Sequence, residues 1–359
     1  MEDAIVLVNF GGPRNKGEIR SFLTELLCDP DVIRTNLPPF AQNLLFKRIA
    51  AKRSKTIVHE YAKMGDKSPI FETTEALASH LAKTLDLPVL TFHRYLPSTH
   101  KQSLAAMDAC NAQKLCVLPL FPQFSYATTG SIARLFAKKL NSNTLQKLNW
   151  IRSYHAHSAF IDAFTAHIQN FLNDQAIPEE HATLFFSPHG VPTSFICSGD
   201  PYKQECETSY KKIMELFPKA SSLLAYQSKF GPEEWIRPYT DEVCENITDH
   251  VKKDQTVVFI PLTFTSDHIE TLVEVEDLYL PVIRKQGLKA LRCPAFNLSA
   301  SWQDAVVNIL KTSPRTTNAL LVRDERIRCP GKCRKSLCPY VQPLVSLEKA
   351  KELLSKTPC

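Results

Sequence analysis

Glycine is scarce in this sequence, with 10 glycines among 359 residues, and the glycine-rich motifs that hold phosphate groups are missing. Neither G-x-G-x-x-G nor G-x-x-x-x-G-K-[ST] occurs in the chain. Both patterns bring backbone N–H groups against a nucleotide phosphate at the start of a helix. Their absence argues against NAD or ATP as ligand.

Long hydrophobic runs are missing as well. No apolar run approaches the roughly 18 residues that a membrane-spanning helix needs. The first residues, MEDAIVLVNF, lack the basic region and the small-residue cleavage site of a signal peptide. We therefore expect a cytoplasmic protein that is at most peripheral to the inner face of a membrane.

Charge of neither sign dominates, since 43 basic and 37 acidic residues leave a net charge of +6. The basic residues form short clusters and no continuous stripe, so no nucleic-acid partner is expected. The 11 cysteines are expected to be thiols, because disulfide frameworks belong to oxidising compartments. Seven are scattered and are interpreted as ordinary small side chains: Cys28, Cys110, Cys116, Cys197, Cys206, Cys244 and Cys293.

Short apolar runs alternate with longer segments of helical periodicity along the whole chain, which predicts parallel sheets wrapped by helices. The predicted strands are Ala4–Asn9, Val89–Tyr95, Leu115–Phe121, Asn149–Tyr154, Thr183–Ser187, Ser222–Gln227, Thr256–Phe264 and Leu288–Pro294. Predicted helices include Ser98–Ala112, Ser158–Leu172 and Glu270–Val282.

The two halves of the chain also resemble each other. AIVLVNFGGP matches LFFSPHGVP, LTFHRYLP matches LAYQSKFGP, and VLPLFPQFSYATTGS matches FIPLTFTSDHIET, in the same order. The sequence thus predicts an α/β protein with two Rossmann-like, doubly wound parallel-sheet domains that arose by duplication. We expect domains at 1–125, with an insertion near 35–65, and at 126–312, followed by a C-terminal extension at 313–359. Ligands of such sheets bind at the carboxyl ends of the strands.

One such strand end carries a histidine within SPHGVPTSFICSGDPY, where His189 follows an apolar strand. A neutral imidazole there can accept a proton or bind a transition metal. Gly190 and Pro192 are turn residues that would restrict its position. Taken alone, His189 could equally be an ordinary hydrogen-bonded side chain.

A second strand end leads into PLTFTSDHIETLVEVED. Helical spacing predicts that Glu270, Glu274 and Asp277 share one face. Clustered carboxylates repel one another unless they face water, bind cations or take part in proton transfer. The alternative is structural, because Asp267 lies three residues before Glu270 and the pair fits a capping box.

Aromatic residues follow other strand ends. Trp235 lies in QSKFGPEEWIRPYTDE, and the first half contributes Phe10 and Tyr126. Such side chains suit a flat apolar ligand at a cleft, although Trp235 could also be a packing anchor.

With these motifs the chain resembles the ferrochelatase family over nearly its whole length. The matching segments are VNFGGP with FLTELLCDPDVI, YAKMGDKSPIFETTEAL, PLFPQFSYATTGS, SPHG with GDPY, QSKFGPEEWIRPYTDE and FTSDHIETL. The resemblance implies a chelatase-like fold around a porphyrin cleft. It also implies insertion of Fe²⁺ into protoporphyrin IX to form heme, with release of two protons.

The resemblance further implies roles for individual residues. His189 and Glu270 are the implied catalytic and metal-side residues, with Glu274 extending an acidic path. Phe10, Trp235 and Tyr126 are the implied porphyrin contacts. Coproporphyrin III is an alternative substrate, and a cobalt or siroheme-type chelatase is a more distant alternative, as are a metal-dependent hydrolase and a porphyrin carrier.

Two further segments each allow more than one interpretation. Some family members hold a 2Fe–2S cluster on C-terminal cysteines, which would be Cys329, Cys333 and Cys338 here. The alternative interpretations of these cysteines are unligated thiols and a bound zinc ion. The fourth ligand would be Cys293 or Cys359, because Tyr126 occupies the position of the family's fourth cysteine. Residues 36–55 mix apolar and basic side chains, which suits either peripheral contact with an anionic membrane or a helix packed on the domain. No sequence pattern predicts an oligomeric state.

Overall fold

The computed structural model describes residues 3–35 and 37–323, which form two four-stranded parallel sheets. All eight predicted strands are confirmed: β1 Asp3–Asn9, β2 Val89–His93, β3 Lys114–Pro119, β4 Leu148–Trp150, β5 Ala182–Phe186, β6 Ser221–Leu224, β7 Thr256–Ile260 and β8 Lys289–Arg292. Several end earlier than predicted. In β7 the reason is Pro261, which has no N–H to continue the hydrogen-bonded ladder.

Both sheets have the same topology, which confirms the duplicated doubly wound fold. The strand orders are β2-β1-β3-β4 and β6-β5-β7-β8. At the carboxyl edge of the first sheet Asn9 pairs with His93, and at that of the second His189 pairs with Gln227. Phe10 and His189 therefore follow equivalent central strands.

Helices cover the sheets and connect their strands. The α-helices are α1 Ile19–Leu27, α2 Pro39–Ala62, α3 Ile70–Leu85, α4 Pro97–Asp108, α5 Ser131–Lys139, α6 Ser142–Lys147, α7 Ser158–Asp174, α8 Thr193–Cys197, α9 Tyr202–Met214, α10 Thr240–Glu245, α11 Leu280–Lys285 and α12 Ala300–Thr312. Short 3₁₀-helices occur at Lys16–Glu18, Glu179–His181, Ile247–Asp249 and Asn318–Leu321. Two segments, Tyr126–Gly130 and Glu270–Tyr279, are π-helices.

A single hydrophobic core joins the two sheets. Leu7 of β1 and Phe186 of β5 belong to the same buried cluster, together with Phe160 of α7 and Trp302 of α12. Helices α7 and α12 pack against each other between the sheets. This shared core fixes one sheet relative to the other, and thereby fixes the positions of the strand ends that form the site.

The chain returns to the first sheet after α12. Strand β4 pairs with β3, and the backbones of Trp150 and Thr316 exchange two hydrogen bonds of 2.9 Å. Leu321 is buried in the core of the first sheet. From this pairing we propose that the first unit extends beyond residue 125 to Trp150 and includes residues 313–323.

The segment predicted as an insertion forms most of α2, a helix of 24 residues. Its first half is exposed on its apolar side, with Phe40 77% and Leu44 55% exposed. Its second half is anchored by buried Ile57 and Tyr61. Within the described part of the chain, no helix is both long and apolar enough to cross a membrane.

Candidate active site

His189 is held rigidly at the carboxyl end of β5. The Gly190 N–H donates to Gln227 O at 2.8 Å, and the Gln227 N–H donates to Pro188 O at 2.9 Å, so the strand pairing continues past the formal strands. The Tyr202 hydroxyl donates to the backbone carbonyl of His189 at 2.8 Å. This arrangement restricts the imidazole before any ligand binds.

The ring of His189 has a defined tautomer. Nδ1 lies 2.5 Å from Gly190 O, and a carbonyl oxygen can only accept, so Nδ1 carries the hydrogen. Nε2 lies 3.7 Å from Oε1 of Glu270, with both side chains 29% exposed. The Nε2 lone pair of the neutral ring is therefore available at the site.

Glu270 stands between two imidazoles. Its Oε1 faces His189, and its Oε2 lies 3.3 Å from Nε2 of His268. Burial alone would raise the pKa of the Glu270 carboxyl, but the positive charge that His189 carries when protonated and the hydrogen bond from His268 lower it to about 2. Glu270 is consequently an anion over the whole physiological pH range.

The helix that carries Glu270 is a π-helix, which changes one prediction. Its turns are wider than those of an α-helix because the hydrogen bonds run to the fifth preceding residue, as from Leu280 N–H to Val275 O. The expectation that Glu270, Glu274 and Asp277 share one face is wrong for Asp277. That side chain instead forms an ion pair with Lys63, just beyond the end of α2.

The capping-box alternative is also wrong. Asp267 does not cap the π-helix, which begins without a side-chain cap. Asp267 instead accepts hydrogen bonds from Arg292 Nη1 at 2.9 Å and from Asn297 Nδ2 at 2.8 Å. Its role is to tie the loop before the π-helix to the end of β8.

Glu274 lies one turn beyond Glu270 and is held by two hydroxyl groups. The Ser228 hydroxyl donates to Oε2 at 2.8 Å, and the Tyr279 hydroxyl donates to Oε1 at 2.6 Å. Burial raises the pKa of Glu274, and the negative charge of Glu270 raises it further. The two carboxyl groups thus have pKa values displaced in opposite directions, an arrangement typical of acid–base sites.

Aromatic rings flank His189. The ring centroid of Trp235 lies 6.0 Å from that of His189, and Phe264 lies 6.4 Å away on another element. Phe230 is 43% exposed and packs edge-on against Trp235 at 5.0 Å. Trp235 itself is only 4% exposed, so its packing role and its place beside His189 coexist.

The first half contributes Phe10 to the same region. Phe10 is half-buried and packs on Tyr95 at 4.5 Å, in a cluster that also contains Ile269 next to Glu270. Tyr126 lies elsewhere. It is 8% exposed in the core of the first sheet, and its backbone N–H donates to Asp200 at 2.9 Å.

The candidate cluster cysteines lie outside the described residues, except for Cys293. Cys329, Cys333, Cys338 and Cys359 lie outside the described residues. Cys293 is 1% exposed in the core shared by the sheets, and burial raises the pKa of its thiol. Among residues 3–35 and 37–323, no group of three or more His, Cys, Asp or Glu side chains forms a ready metal site.

Three residues of the site were not predicted from the sequence. His268 bonds Glu270, while Ser228 and Tyr279 bond Glu274. A signal existed for His268, because it is a histidine two residues before Glu270, in the loop that leads into the π-helix. Ser228 and Tyr279 come together with Glu274 only through the tertiary fold.

Comparison with known proteins identifies the family to which the chain belongs. The family model described as ferrochelatase matches residues 2–313. The chain is similar to the ferrochelatase of Chlamydia felis, with 42% identity over 324 residues covering 90% of this chain and 100% of that protein. It is 40% identical to the ferrochelatase of Chlamydia caviae over 90% of this chain and 100% of the relative. Among solved structures it resembles SirB from Bacillus subtilis with Fe³⁺, at 14% identity and a TM-score of 0.46, covering 87% of this chain and 95% of that chain.

Proposed function

The chain belongs to the ferrochelatase family and inserts ferrous iron into a porphyrin for heme synthesis, and from this premise we propose that His189 and Glu270 carry out the insertion. The observation that carries the proposal is the fixed pair of Nε2 of His189 and Oε1 of Glu270, 3.7 Å apart at the strand ends. Insertion removes two protons from the pyrrole nitrogens and brings in one Fe²⁺. The site therefore needs a proton acceptor and an iron ligand, and this pair can supply both.

We assign the proton acceptor to His189. The hydrogen bond from Nδ1 to Gly190 O leaves the lone pair on Nε2. Nε2 therefore accepts the two pyrrole protons one after the other, and the first is released toward solvent before the second is taken. The imidazolium that forms is stabilised by the adjacent Glu270 carboxylate. A base held in place by backbone contacts needs no reorganisation at the moment of transfer.

Glu270 is assigned to iron. With a pKa of about 2 it stays ionised and offers oxygen lone pairs to Fe²⁺. A single carboxylate is a weak ligand for Fe²⁺, which suits a metal that must be passed on to the porphyrin. Glu274, whose pKa is raised by burial and by the charge of Glu270, is the next group on the path of protons toward solvent.

The porphyrin is proposed to lie against Trp235 and Phe10, which come from different halves of the chain. Tyr126 is a weaker candidate for a direct contact, since its ring packs in the core of the first sheet, whereas the ring of Trp235 lies beside His189. We propose protoporphyrin IX as the substrate, because the exposed apolar side of α2 suits a porphyrin with few carboxylates. Coproporphyrin III is the alternative, and a paired assay with both porphyrins at equal concentration distinguishes them.

The first half of α2 is also proposed to contact a membrane surface. Phe40, Leu44 and Ile49 are exposed, and Lys47 and Arg48 lie on the same stretch of helix. An apolar side flanked by basic residues is typical of helices that lie on anionic bilayers.

A 2Fe–2S cluster would use Cys329, Cys333 and Cys338 and one further donor. Cys293 does not fit as that donor, because its thiol is enclosed in the core and its pKa is raised by burial. Cys359 is then the remaining candidate from the sequence. No step of the insertion is assigned to a cluster.

The test of the main proposal is an anaerobic insertion assay with Fe²⁺ and porphyrin, followed through the Soret and Q bands. Replacing His189 with Ala should lower kcat by about 10²-fold to 10⁴-fold, as expected for loss of a proton acceptor. Glu270→Gln should also impair insertion, while His181→Ala is a control because its side chain is 51% exposed and lies beside Asp254. Wild-type activity of the His189 variant would remove it from the mechanism.

A further inference from the structure

Ser228 has an unusual backbone for its residue type. It follows β6 with φ of 65°, in the left-handed region that non-glycine residues rarely adopt. Glycine would adopt this conformation without strain. A serine here therefore suggests that its side chain has a use that offsets the backbone cost.

The left-handed turn directs two groups of Ser228 toward the π-helix. The backbone N–H donates to the Tyr279 hydroxyl at 3.2 Å, and the side-chain hydroxyl donates to Oε2 of Glu274 at 2.8 Å. The Tyr279 hydroxyl in turn donates to Oε1 of Glu274 at 2.6 Å. Ser228, Tyr279 and Glu274 thus form a closed triangle in which each oxygen of the carboxylate has its own hydroxyl donor.

The same triangle lies between Glu270 and a cavity. Glu274, Ser228 and Tyr279 line a cavity of about 320 Å³, together with Asp241, Glu245 and Lys229. Without its donors the Glu274 side chain could rotate into this space. The two hydroxyl groups therefore hold the Glu274 carboxylate against rotation into the cavity.

We propose that Ser228 is a positioning residue for the insertion reaction, which holds the carboxylate of Glu274 toward Glu270 through its hydroxyl. This inference rests on the proposed function, because it takes Glu274 as part of the path that serves His189 and Glu270. The positioning role proposed for Ser228 involves no contact with the porphyrin. Its loss should therefore act on the rate of insertion and leave porphyrin binding unchanged.

The experiment uses the full-length protein and the anaerobic insertion assay with Fe²⁺ and porphyrin. Ser228→Gly suits the left-handed backbone conformation and removes the hydroxymethyl side chain, including the hydroxyl that bonds Glu274. We expect kcat to fall by about 10-fold, at the lower end of what loss of an outer-shell partner costs, with KM for porphyrin within about twofold of wild type. Ala176→Gly is the matched control, since Ala176 is also left-handed, with φ of 51°, and lies exposed after α7.

Three further variants separate positioning from general damage. Glu274→Gln should lower kcat, and the double variant Ser228→Gly with Glu274→Gln should be no slower than Glu274→Gln alone, because the hydroxyl acts only through that carboxylate. Tyr279→Phe removes the second donor without touching the left-handed turn, and kcat should fall to a similar extent. Thermal unfolding of each variant is measured alongside.

Several outcomes would overturn the inference. Wild-type kcat in Ser228→Gly, losses that multiply in the double variant, or wild-type kcat in Glu274→Gln would each remove the positioning role. The assignment of His189 and Glu270 would stand after any of these results, because it depends on their own variants, and wild-type kcat in Glu274→Gln would remove only Glu274 from the proton path.

Discussion

Glu205 offers the sharpest test of how the two halves are joined near the cleft. It lies on α9 of the second half with 6% of its side chain exposed. Its Oε2 accepts from the Phe124 N–H at 2.7 Å and from the Ser153 hydroxyl at 2.6 Å, while Oε1 accepts from Arg152 at 3.2 Å. These donors come from the loops after β3 and β4, so one carboxylate ties the second half to both loops.

Replacing Glu205 with Gln keeps the size of the side chain but removes the charge and turns one oxygen into a donor. That donor would face the Phe124 N–H or the Arg152 guanidinium. Breaking a buried ionic contact by removing one partner costs about 3 to 5 kcal/mol, and we expect about 2 to 3 kcal/mol here because Arg152 is half-exposed and can be rehydrated.

The stability lost in Glu205→Gln should decrease as the pH falls. Burial would raise the pKa of Glu205, but the hydrogen bond and charge of His155 and the contacts of Arg152 and Ser153 lower it below its usual value. A carboxyl group with a depressed folded-state pKa contributes stability that is complete above its unfolded pKa of about 4.3. That contribution is lost as the pH falls through the folded-state pKa, so the difference between wild type and Glu205→Gln should be largest near neutral pH and shrink in acid.

Urea unfolding at about pH 7 and pH 3.5 measures both quantities. Glu207→Gln on the same helix is the control. Glu207 is 38% exposed and pairs with Lys203 at 3.3 Å, a surface contact worth at most about 1 kcal/mol. A Glu205→Gln protein within about 0.5 kcal/mol of wild type at neutral pH would refute the reasoning, since surface substitutions have effects of that size.

Further predictions concern the cleft wall, the exposed helix and the cysteines. A Cβ on Gly190 would lie 3.0 Å from Gln227 O and 3.0 Å from Trp235 Cε3. Gly190→Ala should therefore displace the Trp235 side of the site and lower kcat/KM for porphyrin at least about tenfold. An unchanged kcat/KM would contradict this packing argument. Joint replacement of Phe40 and Leu44 with Ser should weaken cosedimentation with phosphatidylglycerol vesicles at least about tenfold, while insertion into detergent-dispersed porphyrin stays at the wild-type rate; equal sedimentation would refute membrane contact. The visible spectrum of the purified protein should show 2Fe–2S absorption that survives Cys293→Ser, and a colourless wild-type protein would end the cluster proposal.

The strand pattern and the strand-end histidine could be predicted because both depend on local sequence. Apolar runs of strand length marked every strand of the described sheets, and His189 directly follows one of them. Parallel topology then places such a residue at the ligand-binding edge. The ends of β2, β4 and β7 were predicted too late. Pro261 interrupts the ladder after β7, whereas single backbone hydrogen bonds continue past β2 and β4, from the Arg94 N–H to Asn9 O and from the Ile151 N–H to Val117 O.

The π-helix could not be predicted from residue spacing. The residues from Glu270 onward have an ordinary amphipathic pattern, and only the tertiary packing decides that the hydrogen bonds skip one more residue. Asp277 therefore points toward Lys63 and away from the other two carboxylates. Ser228 was missed for a related reason, because its left-handed turn and its distant partners leave no periodic signal.

The equivalence of Phe10 and His189 after the central strands has a stereochemical consequence. With the porphyrin bound between them as proposed, Phe10 would present a hydrocarbon ring to the substrate, and His189 with Glu270 would present a base and a carboxylate. A porphyrin with unsymmetrical substituents has two faces that are mirror images of each other, and only one of them can meet the reactive wall when the ring is bound in a given orientation. Under this proposed placement, the divergence of two copies of one structural unit would give the enzyme facial selectivity toward a substrate that is itself flat.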